Sequence, residues 1–365
     1  MRKLASVKVF RLFALAFLVL WVVVTKGQSK YSNDFLNIGA GSRWMGMGNS
    51  GVALSNDASA SYWNPAGLLS LEQKYDVTLM HASYFAGMAG YNHLGFAYKP
   101  DSTSALGITA IRFGVDDIPN TTDLMDSEGN ISYDRIKMFS VADYAFLLSY
   151  AHQLPIKGLQ IGGNAKIVYR SVGPFASAWG FGFDVGLRYQ LSSWRFGANL
   201  RDATSTVNIW SFNNDELEIT VGDSTFNTAP AENFELTIPS LSLGVGREFT
   251  LSARIKLAAE VGATTYFDGE RNSLIASSFA SIDPRAGVEV RYMEVVAIRA
   301  GIGNIQKTQG FTSDGYILQP NIGIGLRFKG ISLDYALTNA GSTGYSRYSN
   351  IFSLSWSFDR VRIGK

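Results

Sequence analysis

The sequence contains no cysteine. This absence excludes a disulfide framework, a zinc–thiolate or iron–sulfur site, a thiol nucleophile and the lipid-modified cysteine of a bacterial lipoprotein. Histidine is almost as scarce: only His81, His93 and His152 occur, which leaves little for histidine-based catalysis. Charged residues make up 17% of the chain, and 32 basic against 30 acidic residues give a net charge of only +2. Such a balance argues against nucleic-acid binding, and 13% aromatic residues argue against a disordered chain.

Long hydrophobic runs are also lacking, apart from one near the start. Residues 2–11 carry four basic side chains and no acid, and residues 12–24 are unbroken apolar. Thirteen residues are too few to span a membrane as a helix, which needs about 20. This pattern predicts a secretory signal over residues 1–27, with cleavage after Thr25-Lys26-Gly27; a short membrane anchor is the alternative.

What the rest of the chain does contain is strict alternation of apolar and polar residues. In residues 180–189, for example, Phe181, Phe183 and Val185 face one way, and Gly182 and Asp184 face the other. Successive strand side chains point to opposite faces, so this pattern predicts a half-apolar sheet. Fourteen such segments occur, at 74–86, 89–99, 103–115, 141–152, 157–171, 177–191, 193–202, 236–249, 252–267, 284–293, 295–304, 316–328, 330–338 and 348–359.

The connections between these segments alternate between short and long. Long ones are expected at about 116–140, 203–235, 268–283, 305–315 and 339–347. Short turns on one side and longer loops on the other are typical of outer-membrane barrels, in which a closed sheet pairs every backbone group within lipid. We therefore predict that residues 74–365 are all-β and form a transmembrane antiparallel barrel of about 14 strands. A soluble β-sandwich pair or propeller is the alternative.

Charged residues on the polar face of these segments are expected to line the barrel lumen. Because buried charges need partners, they should pair with one another and with any segment inside. An ion-selective pore is the alternative. The candidate lumen charges are Lys166, Arg170, Asp184, Arg188, Arg254, Lys256, Glu260, Arg285, Glu289, Arg291, Arg299 and Arg327.

Residues 28–73 break the alternating pattern and are predicted to form a plug inside the barrel. Asn56 or Asp57 is a candidate cap for a short helix over residues 58–63. Asn64-Pro65 should end that helix, because a residue that precedes proline disfavours the helical conformation. A fourteen-strand barrel has a wide interior, which either water or such a plug must fill.

The same N-terminal region resembles a known family. The residues that carry the resemblance are Ala40-Gly41-Ser42-Arg43, Met45-Gly46-Met47-Gly48, Asn56-Asp57-Ala58-Ser59-Ala60 and Tyr62-Trp63-Asn64-Pro65-Ala66-Gly67-Leu68. They are similar to the start of the PorV/PorQ family, which belongs with the FadL-like outer-membrane barrels. A weaker likeness continues through residues 329–336 and 349–354. The resemblance implies that Asn56, Asp57, Asn64, Pro65, Ala66 and Gly67 are the plug motif.

This resemblance implies a non-catalytic accessory role in the type IX secretion system of Bacteroidota. The expected partners are outer-membrane lipid and secretion-machinery or cargo proteins, bound at the cell surface through the long loops. Candidate partner-loop residues are Trp210, Phe212, Phe226 and Phe234. The alternative function, also implied by the FadL-like resemblance, is a transporter of hydrophobic small molecules across the outer membrane. A plain diffusion channel is a third.

Motifs for other chemistry are weak, and no catalytic, cofactor or metal site is expected. Residues 46–51 match G-x-G-x-x-G, but no strand of a βαβ unit precedes them, which favours a tight turn in the plug. Carboxylates in residues 116–128 lack the spacing of a calcium-binding EF-hand, so a solvated loop is expected. His81 and His93 come without a G-x-S-x-G turn, which argues against a serine hydrolase.

Overall fold

The computed structural model describes residues 30–122, 124–125, 129–221, 224–227, 230, 233–309, 314–338 and 349–359. The signal sequence expected at 1–27 lies outside this part of the chain. Nineteen strands are described: β1 (Tyr75–Tyr84), β2 (Ala89–Tyr98), β3 (Ser104–Asn120), β4 (Lys137–Gln153), β5 (Leu159–Val172), β6 (Ala176–Leu191), β7 (Trp194–Arg201), β8 (Thr206–Phe212), β9 (Glu218–Val221), β10 (Ser224–Asn227), β11 (Phe234–Thr237), β12 (Ser240–Thr250), β13 (Ile255–Tyr266), β14 (Ile275–Ala276), β15 (Ser281–Tyr292), β16 (Val296–Gln309), β17 (Asp314–Phe328), β18 (Ile331–Thr338) and β19 (Ser349–Phe358).

The strands form a closed antiparallel barrel of fourteen wall positions. Strands β7 and β8 share one position beside β6, β11 and β12 share the next, and β14 only extends the edge of β15. The barrel closes where β1 pairs with β19, from Tyr75 opposite Phe358 to Ser83 opposite Asn350. All fourteen predicted segments lie in this wall, so the fold predicted from alternation is confirmed.

Outward-facing side chains form an apolar band with aromatic residues near both rims. Phe181 and Ile298 are among the most exposed apolar residues of the outer surface, as a lipid-facing wall requires. At the short-turn rim Tyr75 stacks on Tyr98, with 5.0 Å between ring centroids. Near the other rim Tyr169 lies 4.7 Å from Trp179. Such pairs are typical of the interfacial aromatic girdles of outer-membrane barrels.

Short turns lie at one end of the barrel and longer connections at the other. Lys329 and Gly330, both at positive φ, connect β17 to β18 in two residues. Such a conformation matches the twist of the flanking strands, which explains why a hairpin this tight forms here. We call this end the short-turn end and the opposite one the long-loop end. Among the described residues, no helix is both long and apolar enough to cross a membrane.

Three expected loops are shorter than the sequence pattern indicated. A bulge between Val115 and Ile118 shifts the register, and pairing continues beyond it. Strand β3 therefore extends to Asn120, and β4 already begins at Lys137. The chain also resumes pairing after residues 202–205, where β8 continues the wall. Strands β16 and β17 likewise extend into the expected loop at 305–315, past a bulge between Gly303 and Gln306. Each of these irregularities interrupts the alternation and so hides the rest of the strand from a period-two pattern. The loop expected at 339–347 lies outside the described residues.

Candidate functional site: the N-terminal segment and the lumen

Residues 30–73, called here the N-terminal segment, pack against inward-facing side chains of the wall. The segment contains short helices at Ser42–Gly46 and Ala60–Trp63 and 3₁₀ turns at Asp34–Asn37 and Pro65–Ser70. Its large side chains, including Trp44, Met45 and Leu68, are almost fully buried. These side chains belong to two apolar clusters, which also contain lumen residues of β1 to β5, β13, β18 and β19. The main core of the protein therefore lies inside the barrel.

The residues expected to be the plug motif organise this segment. The backbone of Asn64 is extended, and its side-chain amide nitrogen donates to the carbonyls of Val52 (2.9 Å) and of Leu187 on β6 (3.0 Å). Its side-chain oxygen accepts from the Ala66 amide, 3.2 Å away, across Pro65, and Gly67 follows in the same turn. The helix expected over 58–63 is shorter and covers Ala60–Trp63, and Asn64 ends it as predicted.

Asn56 and Asp57 bind to other parts of the segment. The Asn56 side-chain oxygen accepts from Arg43 (2.7 Å). Asp57 accepts from the indole N–H of Trp44 (2.8 Å) and from the backbone N–H of Ser59 (2.9 Å). The predicted cap is wrong, because the helix begins one residue after Ser59, which takes the N-cap position, and no side chain of the described residues caps its amides. Of the amides near the helix start, Asp57 binds only that of Ser59 itself.

A buried carboxylate and a buried guanidinium hold the middle of the segment. Glu260 of β13 accepts from the backbone N–H groups of Ala53 (3.1 Å) and Leu54 (2.8 Å). Arg188 of β6 donates to the carbonyl of Ser55, 2.8 Å away. Charge-assisted bonds of this kind are roughly twice as strong as neutral ones, so they fix the backbone at 53–55.

A chain of alternating charges holds the first helix of the segment. Glu289 of β15 receives two hydrogen bonds from Arg43, each 2.9 Å long, and one from Arg299 of β16 at 2.6 Å. Arg299 continues to Asp334 of β18 at 2.7 Å. Burial alone would lower the pKa of Arg43, but the Glu289 carboxylate more than compensates and raises that pKa. Arg43 therefore stays charged and bridges the segment to the wall.

A second charge cluster lies at the bulge between β7 and β8. Lys166 of β5 is buried and ion-pairs with Asp184 (3.0 Å) and Asp202 (2.6 Å). Toward the long-loop end, Arg170 pairs with Asp143 (2.8 Å) and with Glu235 of β11 (3.0 Å). These pairs join residues of the wall to one another rather than to the N-terminal segment.

The remaining expected lumen charges divide into three groups. Arg285 donates to the Asn49 carbonyl (3.2 Å) and so also holds the segment. Lys256 pairs with Glu294 (2.6 Å), and Arg327 with Glu72 (3.0 Å), both in the more exposed short-turn end. Arg291 pairs with Glu289 at 3.2 Å.

Arg254 does not line the lumen as expected. It lies exposed in the turn before β13, because the Ser252 hydroxyl accepts from the amides of Arg254 and Ile255 and delays the start of the strand. Its alternation with the strand residues in the sequence is therefore coincidental.

Inward-facing glycines follow the path of the segment around the lumen. A Cβ at Gly301 would overlap Met47, and one at Gly186 would overlap Asn64. At Gly323 it would come within 3.3 to 3.5 Å of its neighbours, including Gly46 of the segment. The wall thus approaches the segment backbone closely at points where no side chain fits. At these glycines the segment occupies the space that a wall side chain would otherwise fill.

The candidate partner-loop residues do not share one loop. Trp210 and Phe212 lie on β8, where the Trp210 indole donates to Glu235 (3.0 Å) and stacks beside Phe212. They are therefore wall residues of the lumen mouth, because the strand resumes after residues 202–205. Phe234 lies exposed on β11, and Phe226 lies on β10.

Sequence reasoning missed several residues that bind the segment. Arg201 donates to the carbonyls of Leu36 (3.0 Å) and Tyr62 (3.1 Å), and Asn199 donates to that of Trp63 (2.9 Å). Both face inward at alternate positions of β7, which is the signal that could have identified them. In the part of the chain that the structure describes, no group of three or more His, Asp or Glu side chains is arranged to hold a metal ion.

Comparisons with known proteins agree with this architecture. A family model described as the type IX secretion system protein PorV matches residues 29–267. Among solved structures, the CymD monoaromatic hydrocarbon channel superposes with a TM-score of 0.56 at 15% identity, covering 88% of this chain and 98% of its own. The Ralstonia pickettii toluene transporter TbuX superposes with a TM-score of 0.54 at 14% identity, covering 88% of this chain and 98% of its own. The Pseudomonas putida toluene transporter TodX superposes with a TM-score of 0.51 at 13% identity, covering 88% of this chain and 99% of its own. At these identities the likeness shows the fold alone. Comparison with curated proteins finds no match.

Proposed function

The chain belongs to the PorV family of type IX secretion system proteins, and we propose that it is a non-catalytic accessory of that system. In this proposal the barrel sits in the outer membrane after removal of residues 1–27. Its long-loop end then faces outward, as is usual for outer-membrane barrels. It binds exported proteins, or the machinery that handles them, at the cell surface.

We further propose that the N-terminal segment is a plug that keeps the barrel closed. Carboxylates and guanidinium groups of the wall hold it on several sides, as at Glu260, Glu289 and Arg188. Glycines bring the wall against its backbone elsewhere. A lumen occupied in this way supports a role as a membrane-anchored receptor rather than as a conduit for folded protein.

The observation that carries the surface-binding role is an exposed apolar group on the connection between β3 and β4. Met125 pairs with Ile131 through an isolated β-bridge, and both side chains are mostly exposed. Tyr133 follows with 73% of its surface exposed, beyond the lipid-facing wall. Exposed apolar groups of this kind mark protein contact sites. This connection lies within the expected long loop at 116–140.

A secretion assay tests this role. The variant Met125→Ser/Ile131→Ser/Tyr133→Ser should reduce the amount of cargo on the cell surface while the barrel level stays normal. Leu251→Ser is the matched control, since Leu251 is equally exposed at the short-turn end. Heat-modifiable migration in gels confirms that each variant is folded. Normal cargo display by the triple variant would contradict the proposed contact.

A second candidate function, transport of a hydrophobic small molecule, is favoured by one asymmetry. Within the described residues, no hydrogen bond joins the N-terminal segment to β2, β3 or β4, although the 3₁₀ turn Pro65–Ser70 packs on β3 and β4. Separation of the segment from these strands would therefore break packing contacts and one hydrogen bond, from Lys99 just after β2 to the Leu71 carbonyl (2.7 Å). The solved barrels of similar fold include channels and transporters for aromatic hydrocarbons. Movement of the segment distinguishes this candidate from the first.

A further inference from the structure

A cavity of about 320 Å³ lies between the N-terminal segment and the wall on the long-loop side. Its floor is formed by Ile38, Gly48 and Asn49 of the segment. Its sides come from strands on opposite parts of the barrel, β1 and β3 on one side and β15 to β17 on the other. At about 30 Å³ per water molecule, this volume corresponds to about ten waters, roughly the room that one sugar ring with its hydroxyls needs.

One side of the cavity is a row of hydrogen-bonded amides. Asn304 donates to Gln319 (2.9 Å), and Gln306 donates to the Asn304 side-chain oxygen (3.0 Å). Asn321 continues the row and donates to the backbone carbonyl of Gln319 (3.0 Å). All four side chains line the cavity. Each amide offers two donor hydrogens and an oxygen with two lone pairs, so the row keeps spare capacity of both kinds.

A β-bulge creates this row. The register of β16 and β17 shifts between Gly303 and Gln306, and Asn304 takes the left-handed conformation with φ of 47°. Bulges re-aim side chains and are frequent beside binding sites. Arg299, Gly301 and Gly303 face inward, so without the bulge strict alternation along β16 would turn Asn304 and Gln306 outward.

The opposite side is aromatic, and the charges around the cavity balance. Tyr84 and Phe113 line it from β1 and β3. Asp34 pairs with Arg271 (2.9 Å), and a second lining pair, Asp283 with Arg285, lies 3.2 Å apart. The cavity therefore combines aromatic faces with a dense amide row and carries no net formal charge.

We propose that this cavity binds one ring of a neutral carbohydrate. Hydroxyl groups both donate and accept hydrogen bonds, as the amide row does, and the apolar faces of a sugar ring can stack on Tyr84 and Phe113. An apolar ligand would remove water from the amides without replacing their hydrogen bonds, which is unfavourable. A charged ligand would face two cations and two anions that already pair. The inference is independent of the proposed secretion role.

Saturation-transfer NMR on the purified full chain in lipid nanodiscs tests it. The probes are N-acetylglucosamine, maltose and, as an apolar comparison, toluene. Asn304→Gly removes one amide while suiting the positive φ, and Gln319→Ala removes another. The matched control is Gln160→Ala, an amide on β5 near the short-turn end. Heat-modifiable migration shows that each variant is folded.

The expected result is saturable binding of at least one sugar. Its affinity should fall about fivefold or more in Asn304→Gly and in Gln319→Ala and stay unchanged in Gln160→Ala. Saturable toluene binding without sugar binding would overturn the proposal. It would be overturned as well if neither sugar bound, or if sugar binding were equal in all folded variants.

Discussion

Gly301 of β16 lies against the backbone of Met47 so closely that a single added Cβ on the glycine would overlap the Met47 carbonyl carbon. The adjacent Gly48 meets the same strand, where its own Cβ would come 2.6 Å from the Ile302 nitrogen. The wall and the N-terminal segment are therefore in backbone contact here. No side-chain movement can relieve an added group at this point.

The first prediction concerns this contact. Gly301→Ala should push the segment from the wall and cost about 1–3 kcal/mol, as overpacking does. Limited proteolysis of the folded barrel should then cleave within residues 30–73 faster than in the wild type. Gly90→Ala is the control, since the nearest atom to its new methyl group is 3.9 Å away. Equal cleavage rates of all three proteins would show that the contact is unimportant.

The second prediction concerns the buried carboxylate of Glu289. Glu289→Gln leaves Arg43 and Arg299 without their shared anion, and loss of one partner of a buried pair costs about 3–5 kcal/mol. The temperature at which the barrel loses its heat-modifiable form should fall clearly. Arg327→Gln breaks only the exposed pair with Glu72, where less than about 1 kcal/mol is expected. A similar midpoint for both variants would contradict this assignment.

The third prediction separates the two candidate functions. A side chain at Gly107 would meet the Ser61 hydroxyl, so Ser61→Cys/Gly107→Cys places two sulfurs within bridging range, in a chain with no other cysteine. The bond fixes the segment to β3. We expect oxidation to leave cargo display unchanged, because the secretion role needs no movement of the segment. Loss of display on oxidation, restored by reductant, would indicate that the segment must move.

The fourth prediction is a pH dependence at the start of the segment. Burial alone would raise the pKa of Asp268. Hydrogen bonds and charge from Arg271 instead hold that pKa below the value of about 3.9 that is ordinary for an aspartate. A carboxylate whose pKa is lowered in the folded state stabilises that state when the pH is above the ordinary pKa. The stabilisation is lost as the pH falls through the folded-state pKa. The Tyr31 amide, bound to Asp268 at 3.3 Å, should therefore stay protected at pH 5–7 and lose protection only below about pH 4.

Hydrogen exchange, corrected for intrinsic rates, measures this protection. Asp268→Asn keeps an acceptor oxygen but removes the charge, so its protection should be lower at neutral pH and nearly independent of pH. Loss of protection in the wild type between pH 7 and pH 5 would show that another group controls the contact.

The barrel was predictable from sequence because a lipid-facing wall enforces alternation at nearly every position. Where strand pairing is irregular, as at Val115 to Ile118 or at residues 202–205, alternation is lost and the pattern predicts strand ends too early. For that reason the pattern predicts a loop at Trp210, which the structure places on β8. The inward direction of charged residues such as Glu260 was predictable from their place on the polar face of the alternating pattern alone.

The partners of those charges were not predictable. Glu260 binds backbone amides of residues 53 and 54, and backbone groups leave no trace in side-chain sequence. The amide row at Asn304 and Gln319 depends on a bulge, which a period-two pattern cannot reveal. Contacts that join distant segments through irregular backbone thus required the structure.

The secretion role is tested most directly by affinity purification from mild-detergent outer membranes, with mass spectrometry of protein and lipid fractions. We predict that secretion-machinery or cargo proteins co-purify with the wild type and with Leu251→Ser. They should be lost with Met125→Ser/Ile131→Ser/Tyr133→Ser. A barrel recovered alone, carrying bound hydrophobic molecules, would contradict the secretion role and favour transport.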